Sequence, residues 1–262
     1  MPVPFFEPMS AAMKWPETRG EILPAGEIHV WKAHLEAQPE RQADFYERLS
    51  VEEKVRADRL RFGSIRQRFI NAHAILRQIL AGYLDQNAAE IEIKAVQGEK
   101  PVLAGKSKAG HRPWQFNLTH SRDLMLVSIS RDFETGIDVE FIDPEQQYGQ
   151  ISNLFFSEAD REWLDLQPDD QKIIAFFRLW TCKEAVLKTE GSGIRRSLKD
   201  VRIEFMSGAE TARGILPGDS EMERAWAIKL FEPAPGYTTA LAFEEVASTA
   251  DNPVVIYYHW KG

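Results

Sequence analysis

The chain has 262 residues, which is long enough for one large domain or two modest ones with cores of their own. Its net charge of −8 argues against a general attraction to nucleic acid, because an acidic surface repels phosphate backbones. The single cysteine, Cys182, excludes an intrachain disulfide and a cysteine zinc site, and it suits a reducing compartment. No apolar run is long enough to cross a bilayer. We therefore expect a cytoplasmic protein with no membrane or nucleic-acid partner.

The first third of the chain predicts an arm, a strand and two helices. Residues 1–26 contain five prolines and predict an irregular N-terminal arm. Alternating apolar residues in EIHVWKAHL (27–35) predict a strand. Ser50 and Glu53 have the spacing of a capping box, which predicts that a helix begins there. The helical spacing of apolar residues over 66–84 predicts a second helix.

The remainder of the chain mixes strand and helix patterns, with apolar alternation marking the strands and longer periodic runs marking the helices. Helices are predicted at 151–166 and 169–190. Strands are predicted at 91–96, in two runs of 114–130 separated by a polar turn at 119–123, and at 136–140, 201–205, 225–231 and 238–244. The pattern predicts an α+β fold of two similar α/β halves, each a small antiparallel sheet packed with helices. We place these halves at residues 27–140 and 141–262.

The segment GIDVE (136–140) puts two acids on one face of a strand. Side chains two residues apart on a strand point the same way, so Asp138 and Glu140 share a face. Two neighbouring carboxylates repel each other and need a positive partner or water. A Mg²⁺ ion suits them, since it binds one or two carboxylates together with substrate phosphates. A solvated strand face is the alternative.

A third acid, Glu184, interrupts an apolar stripe in the last predicted helix. At about 100° per residue, Phe177, Trp180 and Leu187 fall on one stripe with Glu184 among them. A carboxylate in that position is costly to bury unless it is paired, protonated or bound to a metal ion. Two interpretations stay open: an ion pair with Lys188 one turn later, or a third carboxylate directed at the same cation.

Polar and basic residues that suit phosphate groups lie in three segments upstream. The candidates are Lys100, His120 in the predicted turn, and an arginine cluster of Arg61, Arg66 and Arg68. The forked donors of arginine bind phosphate well. Each of these groups is equally typical of a solvated surface, so none identifies a site alone.

Four segments then occur in a fixed order along the chain: GEKPVL, FNLTHS, GIDVE and FRLWTCKEAVLKTEGSGI. In this order they resemble the motifs of the 4′-phosphopantetheinyl transferases, specifically the large monomeric Sfp type. The family pattern is a Gly-x-Asp-x-Glu strand followed by Trp-x-x-Lys-Glu-Ala-x-x-Lys. Residues 136–140 and 180–188 match it at every fixed position. The resemblance covers most of residues 27–200.

The resemblance implies an enzyme, a holo-[carrier-protein] synthase. Such an enzyme transfers the 4′-phosphopantetheine group of coenzyme A to a serine of an acyl, peptidyl or polyketide carrier protein. The other product is adenosine 3′,5′-bisphosphate. The resemblance also implies a Mg²⁺ cofactor, a monomer built from two halves related by a pseudo-twofold axis, and an active site in the cleft between them.

The resemblance further implies roles for individual residues. Asp138, Glu140 and Glu184 would bind Mg²⁺, and Glu184 and Lys188 would be catalytic. Whether Glu184 is a metal ligand or the general base for the serine stays open. Coenzyme A would be bound by a set of polar and basic residues: Arg61, Arg68, Lys100, Asn117, Thr119, His120, Lys183 and Lys188.

Two other functions would use the same residues. A Mg²⁺-dependent phosphohydrolase would cleave coenzyme A without a protein acceptor, and a non-catalytic scaffold would bind coenzyme A or a carrier without forming a product. Carrier proteins are typically acidic, so docking onto this acidic chain requires a local basic or apolar patch. The basic candidates for that patch are Lys106, Lys108, Arg112, Arg195 and Arg196.

Overall fold

The computed structural model describes most of the chain, and the predicted arm lies outside it except for residues 23–26. The described ranges are 23–36, 39–94, 100–104, 114–191, 196–206, 210–217, 223–245 and 252–261. The helices are α1 (Gln42–Glu47), α2 (Val51–Arg59), α3 (Gly63–Leu84), α4 (Tyr148–Phe155), α5 (Glu158–Asp165) and α6 (Lys172–Glu190). The strands are β1 (Glu27–His34), β2 (Ile93–Lys94), β3 (Val102–Leu103), β4 (Gln115–Ser121), β5 (Leu124–Ser130), β6 (Thr135–Phe141), β7 (Arg202–Phe205), β8 (Thr211–Pro217), β9 (Glu223–Phe231), β10 (Tyr237–Glu244) and β11 (Val254–His259).

These elements form two compact units. The four-stranded unit comprises the described residues of 23–94, 101–132 and 253–261, and the five-stranded unit comprises Lys100 and the described residues of 133–252. Each unit has one long helix and a mainly antiparallel sheet, which confirms the predicted α+β fold. None of the described helices is both long and apolar enough to cross a membrane.

The four-stranded unit has the strand order β11-β1-β5-β4 and packs α3 against its core. β1 is antiparallel to β5 and parallel to β11. The predicted capping box starts α2: the Ser50 hydroxyl accepts from the Glu53 amide (3.2 Å), and the Ser50 amide donates to the Glu53 carboxylate (3.0 Å). The two helices predicted in this part of the chain are therefore confirmed, and so is the strand at 27–35.

The polar turn predicted at 119–123 is shorter in the structure. β4 continues to Ser121, and the turn to β5 consists of Arg122 and Asp123. Arg122 has a φ of 50°, a left-handed conformation that allows the chain to reverse within two residues. His120 consequently lies in a strand, opposite Met125 of β5, and not in a turn.

The five-stranded unit is an antiparallel sheet with the order β6-β10-β9-β8-β7. The strands predicted at 201–205, 225–231 and 238–244 are confirmed as β7, β9 and β10, whereas β8 was not predicted. The prediction of a single helix at 151–166 is wrong, because two helices, α4 and α5, occupy this range and Ser157 lies between them. The Ser157 side chain caps the first turn of α5 in a capping box with Asp160.

The units divide the chain differently from the predicted halves 27–140 and 141–262. β6 pairs with β10 along its whole length, so it belongs with the second half of the chain. β11, near the C-terminus, pairs with β1 and so joins the first half. Hydrogen bonds between strands that are distant in sequence cause both differences.

Gly136 brings β6 and α6 into close contact. A β-carbon at this position would overlap the carbonyl oxygen of Ala185 and the amide nitrogen of Thr189, both in the backbone of α6. Backbone atoms cannot move aside as a flexible side chain can. The glycine therefore sets how closely the helix lies on the strand.

We predict that Gly136→Ala lowers the free energy of unfolding by about 3 kcal/mol or more, because the helix must move off the strand. Urea denaturation followed by tryptophan fluorescence measures this. Gly149→Ala is the control, since a β-carbon there meets nothing within 4 Å. Alanine is favoured over glycine in a helix, so the control is expected to be neutral or stabilising by up to about 1 kcal/mol. Equal stabilities for the two variants would contradict the close contact.

Candidate active site

One face of β6 carries Gly136, Asp138 and Glu140 toward α6. Alternate strand residues share a face, and Gly136 of this set touches the α6 backbone. Asp138 is 4% exposed, and Glu140 is partly buried one pleat further along. The predicted common face of the two acids is therefore the face that the helix covers.

Glu184 comes from α6 and is electrostatically coupled to Asp138. Burial is the main cause that raises the pKa of the Glu184 carboxyl above its ordinary value, and the negative charge of Asp138 raises it further. The positive charge of Lys188 acts in the opposite direction. Two carboxylates 46 positions apart in the sequence thus influence each other in a poorly solvated place.

Lys188 contacts Asp138. Its ammonium donates to Asp138 Oδ1 at 2.6 Å and lies 3.4 Å from the carbonyl oxygen of Ile137. The two interpretations left open for Glu184 were a pair with Lys188 and a place beside the strand acids. Lys188 forms its ion pair with Asp138, and the charges of both residues shift the pKa of Glu184.

The donor set fits a divalent cation that shares its shell with a ligand. Among the residues that the structure describes, no three His, Cys, Asp or Glu side chains form a group that could enclose a metal ion by themselves. Mg²⁺ does not need such a cage, since it is usually bound by one or two carboxylates, water and substrate phosphates. Asp138 and Glu184 supply hard oxygen ligands whose mutual repulsion a cation would relieve.

The side chain of Lys100 reaches the first residue of β6. Its ammonium donates to the carbonyl oxygen of Thr135 at 2.7 Å. Burial lowers the pKa of Lys100 to about 8, with the charge of Glu134 acting against that shift. The predicted phosphate ligand therefore belongs to the same unit as the acids, and its charge is sensitive to pH near neutrality.

Lys183 has a structural environment. Its side chain is fully buried, and its ammonium forms an ion pair with Asp160 at 2.7 Å and donates to the carbonyl oxygens of Leu198 and Val201. These three acceptors match the three donors of an ammonium group. The prediction that Lys183 binds coenzyme A therefore has no support in the structure, and we leave the residue out of the proposed site.

Cys182, the neighbour of Lys183 on α6, is buried. Burial raises the pKa of its thiol to about 12, which keeps the group protonated and unreactive. We conclude that it packs in the core and is no nucleophile.

The other predicted coenzyme A ligands belong to the four-stranded unit. Arg61 is exposed, and Arg68 forms an exposed ion pair with Asp123 at 2.8 Å. The β4 candidates divide between two faces of their strand, because Asn117 and Thr119 alternate with His120. Asn117 and Thr119 are buried, whereas His120 is exposed.

The basic patch predicted for carrier docking lies largely outside the described residues. Of its candidates only Arg196 is described, and its guanidinium donates to the carbonyl oxygen of Pro217 at 2.9 Å. The outside members are Lys106, Lys108, Arg112 and Arg195.

One residue on the acidic face was not predicted. Thr238 of β10 lies directly opposite Glu140. The strand itself was predicted from its alternation, but the register that pairs two distant strands cannot be read from either segment alone.

The part of the chain that matches known proteins includes the elements of this site. A family profile described as the 4′-phosphopantetheinyl transferase superfamily matches residues 134–242, which include all of β6 and α6 and β10 as far as Ala242. The 4′-phosphopantetheinyl transferase HetI of a Nostoc species is 36% identical over 190 residues, which cover 72% of this chain and 78% of that protein.

Two further relatives carry the same description. The 4′-phosphopantetheinyl transferase psf-1 of Bacillus pumilus is 27% identical over 76% of this chain and 81% of its own length. The 4′-phosphopantetheinyl transferase AcpT of Escherichia coli K12 is 33% identical over 49% of this chain and 60% of its own length. The family assignment and the enzyme class predicted from the motifs are thereby confirmed: the chain belongs to the 4′-phosphopantetheinyl transferase superfamily of enzymes.

Proposed function

We propose that the protein transfers the 4′-phosphopantetheine group of coenzyme A to a serine of an acyl, peptidyl or polyketide carrier protein, with Mg²⁺ as cofactor. The observation that carries the proposal is the coupling of Asp138 on β6 with Glu184 on α6, next to Lys188. Family membership supports the same reaction class.

The reaction needs little covalent help from the protein. The serine oxygen forms a bond to the phosphorus that carries the pantetheine arm, and the bond from that phosphorus to the bridging oxygen breaks. Adenosine 3′,5′-bisphosphate leaves with the bridging oxygen and its electron pair. The serine proton passes to a base. Catalysis then depends on neutralising the diphosphate and holding the serine in line.

In the proposed reaction, the acids and the lysine have different roles in neutralising the diphosphate. Asp138, Glu184 and Glu140 would hold Mg²⁺, which when bound neutralises charge on the diphosphate. Before coenzyme A binds, the Lys188 ammonium neutralises Asp138 at 2.6 Å. When an anionic diphosphate is bound beside Asp138, the same ammonium would donate to a phosphate oxygen.

Glu184 is compatible with both roles considered for it, general base for the serine and Mg²⁺ ligand. Its pKa is raised mainly by burial, so the carboxylate gains a proton more readily than an ordinary glutamate does. A group of that kind accepts the serine proton well, directly or through water. A cation beside it would favour the ionised form and make it a ligand.

The proposed partners follow from the reaction. Coenzyme A would be bound by Lys100 and Lys188 of the five-stranded unit. The candidate ligands that rest on the motif resemblance alone are Arg61, Arg68, Asn117, Thr119 and His120. We also propose that the protein is a cytoplasmic monomer.

Intact mass spectrometry of apo carrier proteins tests the function. Fatty-acid, polyketide and nonribosomal-peptide carriers are each incubated with the protein, coenzyme A and Mg²⁺. We expect at least one carrier to gain one phosphopantetheine group. The gain should disappear with EDTA, and Glu184→Ala should slow it at least about 100-fold, because loss of one charge-stabilising group typically costs that much.

A matched control is available within the same unit. Glu158→Ala removes an exposed acid from the first turn of α5 and should leave the rate unchanged. Cleavage of coenzyme A without a mass gain on any carrier would favour the phosphohydrolase, and binding without any product would favour the scaffold.

The pH dependence of coenzyme A binding tests Lys100. Its ammonium is charged below a pKa of about 8 and neutral above it, so its attraction for phosphate is present at lower pH and lost as pH rises. For a coenzyme A analogue without the thiol, we predict about tenfold weaker binding at pH 9 than at pH 7 by calorimetry. In Lys100→Arg the affinity should stay level, because guanidinium remains protonated. If binding to a Lys100→Met variant weakened with rising pH as much as binding to the wild-type protein, Lys100 would not be the ligand responsible.

A further inference from the structure

The hydroxyl group of Thr238 is buried and has no hydrogen-bond partner within the described part of the chain. Thr238 is 2% exposed, so bulk water does not replace that partner. Leaving a buried hydroxyl unsatisfied typically costs about 1–3 kcal/mol. Native proteins keep such groups rarely, and a water molecule or ion is one of the usual reasons.

Thr238 stands on the face that carries the acids. It is the cross-strand neighbour of Glu140, and directly opposed residues share a face with β-carbons about 4.5–5.5 Å apart. The next two residues on that face of β10, Ala240 and Ala242, lie opposite Asp138 and Gly136 and pack in the α6 core. The face that α6 covers therefore continues to Thr238.

The residue of β10 that stands opposite the buried acid is small. Ala240 stands opposite Asp138, so no large side chain of β10 fills the place next to that carboxylate. The only polar side chain that β10 presents between Thr238 and Ala242 on this face is the Thr238 hydroxyl. It is therefore the group of β10 best placed to respond to a ligand held by the acids.

We propose that Thr238 is a positioning residue of the ligand-loaded site: its hydroxyl donates a hydrogen bond to the Glu140 carboxylate and holds that carboxylate toward the cation. This inference rests on the proposed function. The β-branched side chain of threonine is stiff at χ1, so a hydroxyl aimed from this strand position is held there at little cost in entropy. Valine has the same shape and would avoid the unsatisfied hydroxyl, yet the chain carries threonine.

The adjacent residue provides a matched control. Thr239 is also fully buried, and its hydroxyl also has no hydrogen-bond partner within the described part of the chain. It points to the opposite face of β10, where it lies across from Val139 of β6 and Phe231 of β9. Replacing either threonine by valine removes one buried unsatisfied hydroxyl, but only Thr238 faces the acids.

The test is calorimetric binding of coenzyme A over a series of Mg²⁺ concentrations. Thr238→Val should raise the half-saturating Mg²⁺ concentration about tenfold or more, the usual effect of losing a group that orients a metal ligand. Thr238→Ser keeps the hydroxyl and should restore the wild-type value. Thr239→Val should leave it unchanged, and the two valine variants should show equal thermal unfolding temperatures without ligand.

The following outcomes would contradict the inference. A Thr238→Val protein with the wild-type Mg²⁺ dependence, or an equal shift in Thr239→Val, would overturn it while the proposed function stands. A wild-type protein that binds no coenzyme A in the presence of Mg²⁺ would overturn both together.

Discussion

The contact between the backbone of α6 and Gly136 determines how closely the charged side chains of β6 and α6 approach each other. The glycine has no β-carbon, so the helix backbone approaches β6 more closely than any other residue would allow. Asp138 and Glu140 follow on the same face of the strand, and Glu184 and Lys188 follow on the helix. One small residue thus fixes the separation between two charged segments that are far apart in the sequence.

That close packing also keeps water away, and the electrostatic consequences follow. Burial and the neighbouring Asp138 charge together raise the pKa of Glu184, while Lys188 pairs with Asp138 and offsets part of the repulsion. The three acids proposed for the cation, Asp138, Glu140 and Glu184, outweigh the single positive charge of Lys188 when all of them are ionised. A divalent cation would cancel this excess, so that the acids no longer repel an anionic diphosphate.

The sequence predicted features that depend on local spacing and missed those that depend on distant partners. Asp138 and Glu140 share a face because strand geometry repeats every two residues, and Ser50 caps α2 through its own third neighbour. Lys183 follows the motif pattern of the family, yet its role depends on Asp160, a residue of another helix. The pairing of Thr238 with Glu140 depends in the same way on strand register, which no single segment contains.

The most direct test of this account is the position of the cation. Crystals grown with coenzyme A and Mn²⁺, which replaces Mg²⁺ and scatters anomalously, give that position independently of activity. The account predicts one strong anomalous peak within ligand distance of Asp138 and of at least one of Glu140 and Glu184, and the same peak absent from Asp138→Ala crystals. A peak elsewhere in the molecule, or a coenzyme A diphosphate bound away from these carboxylates, would contradict it.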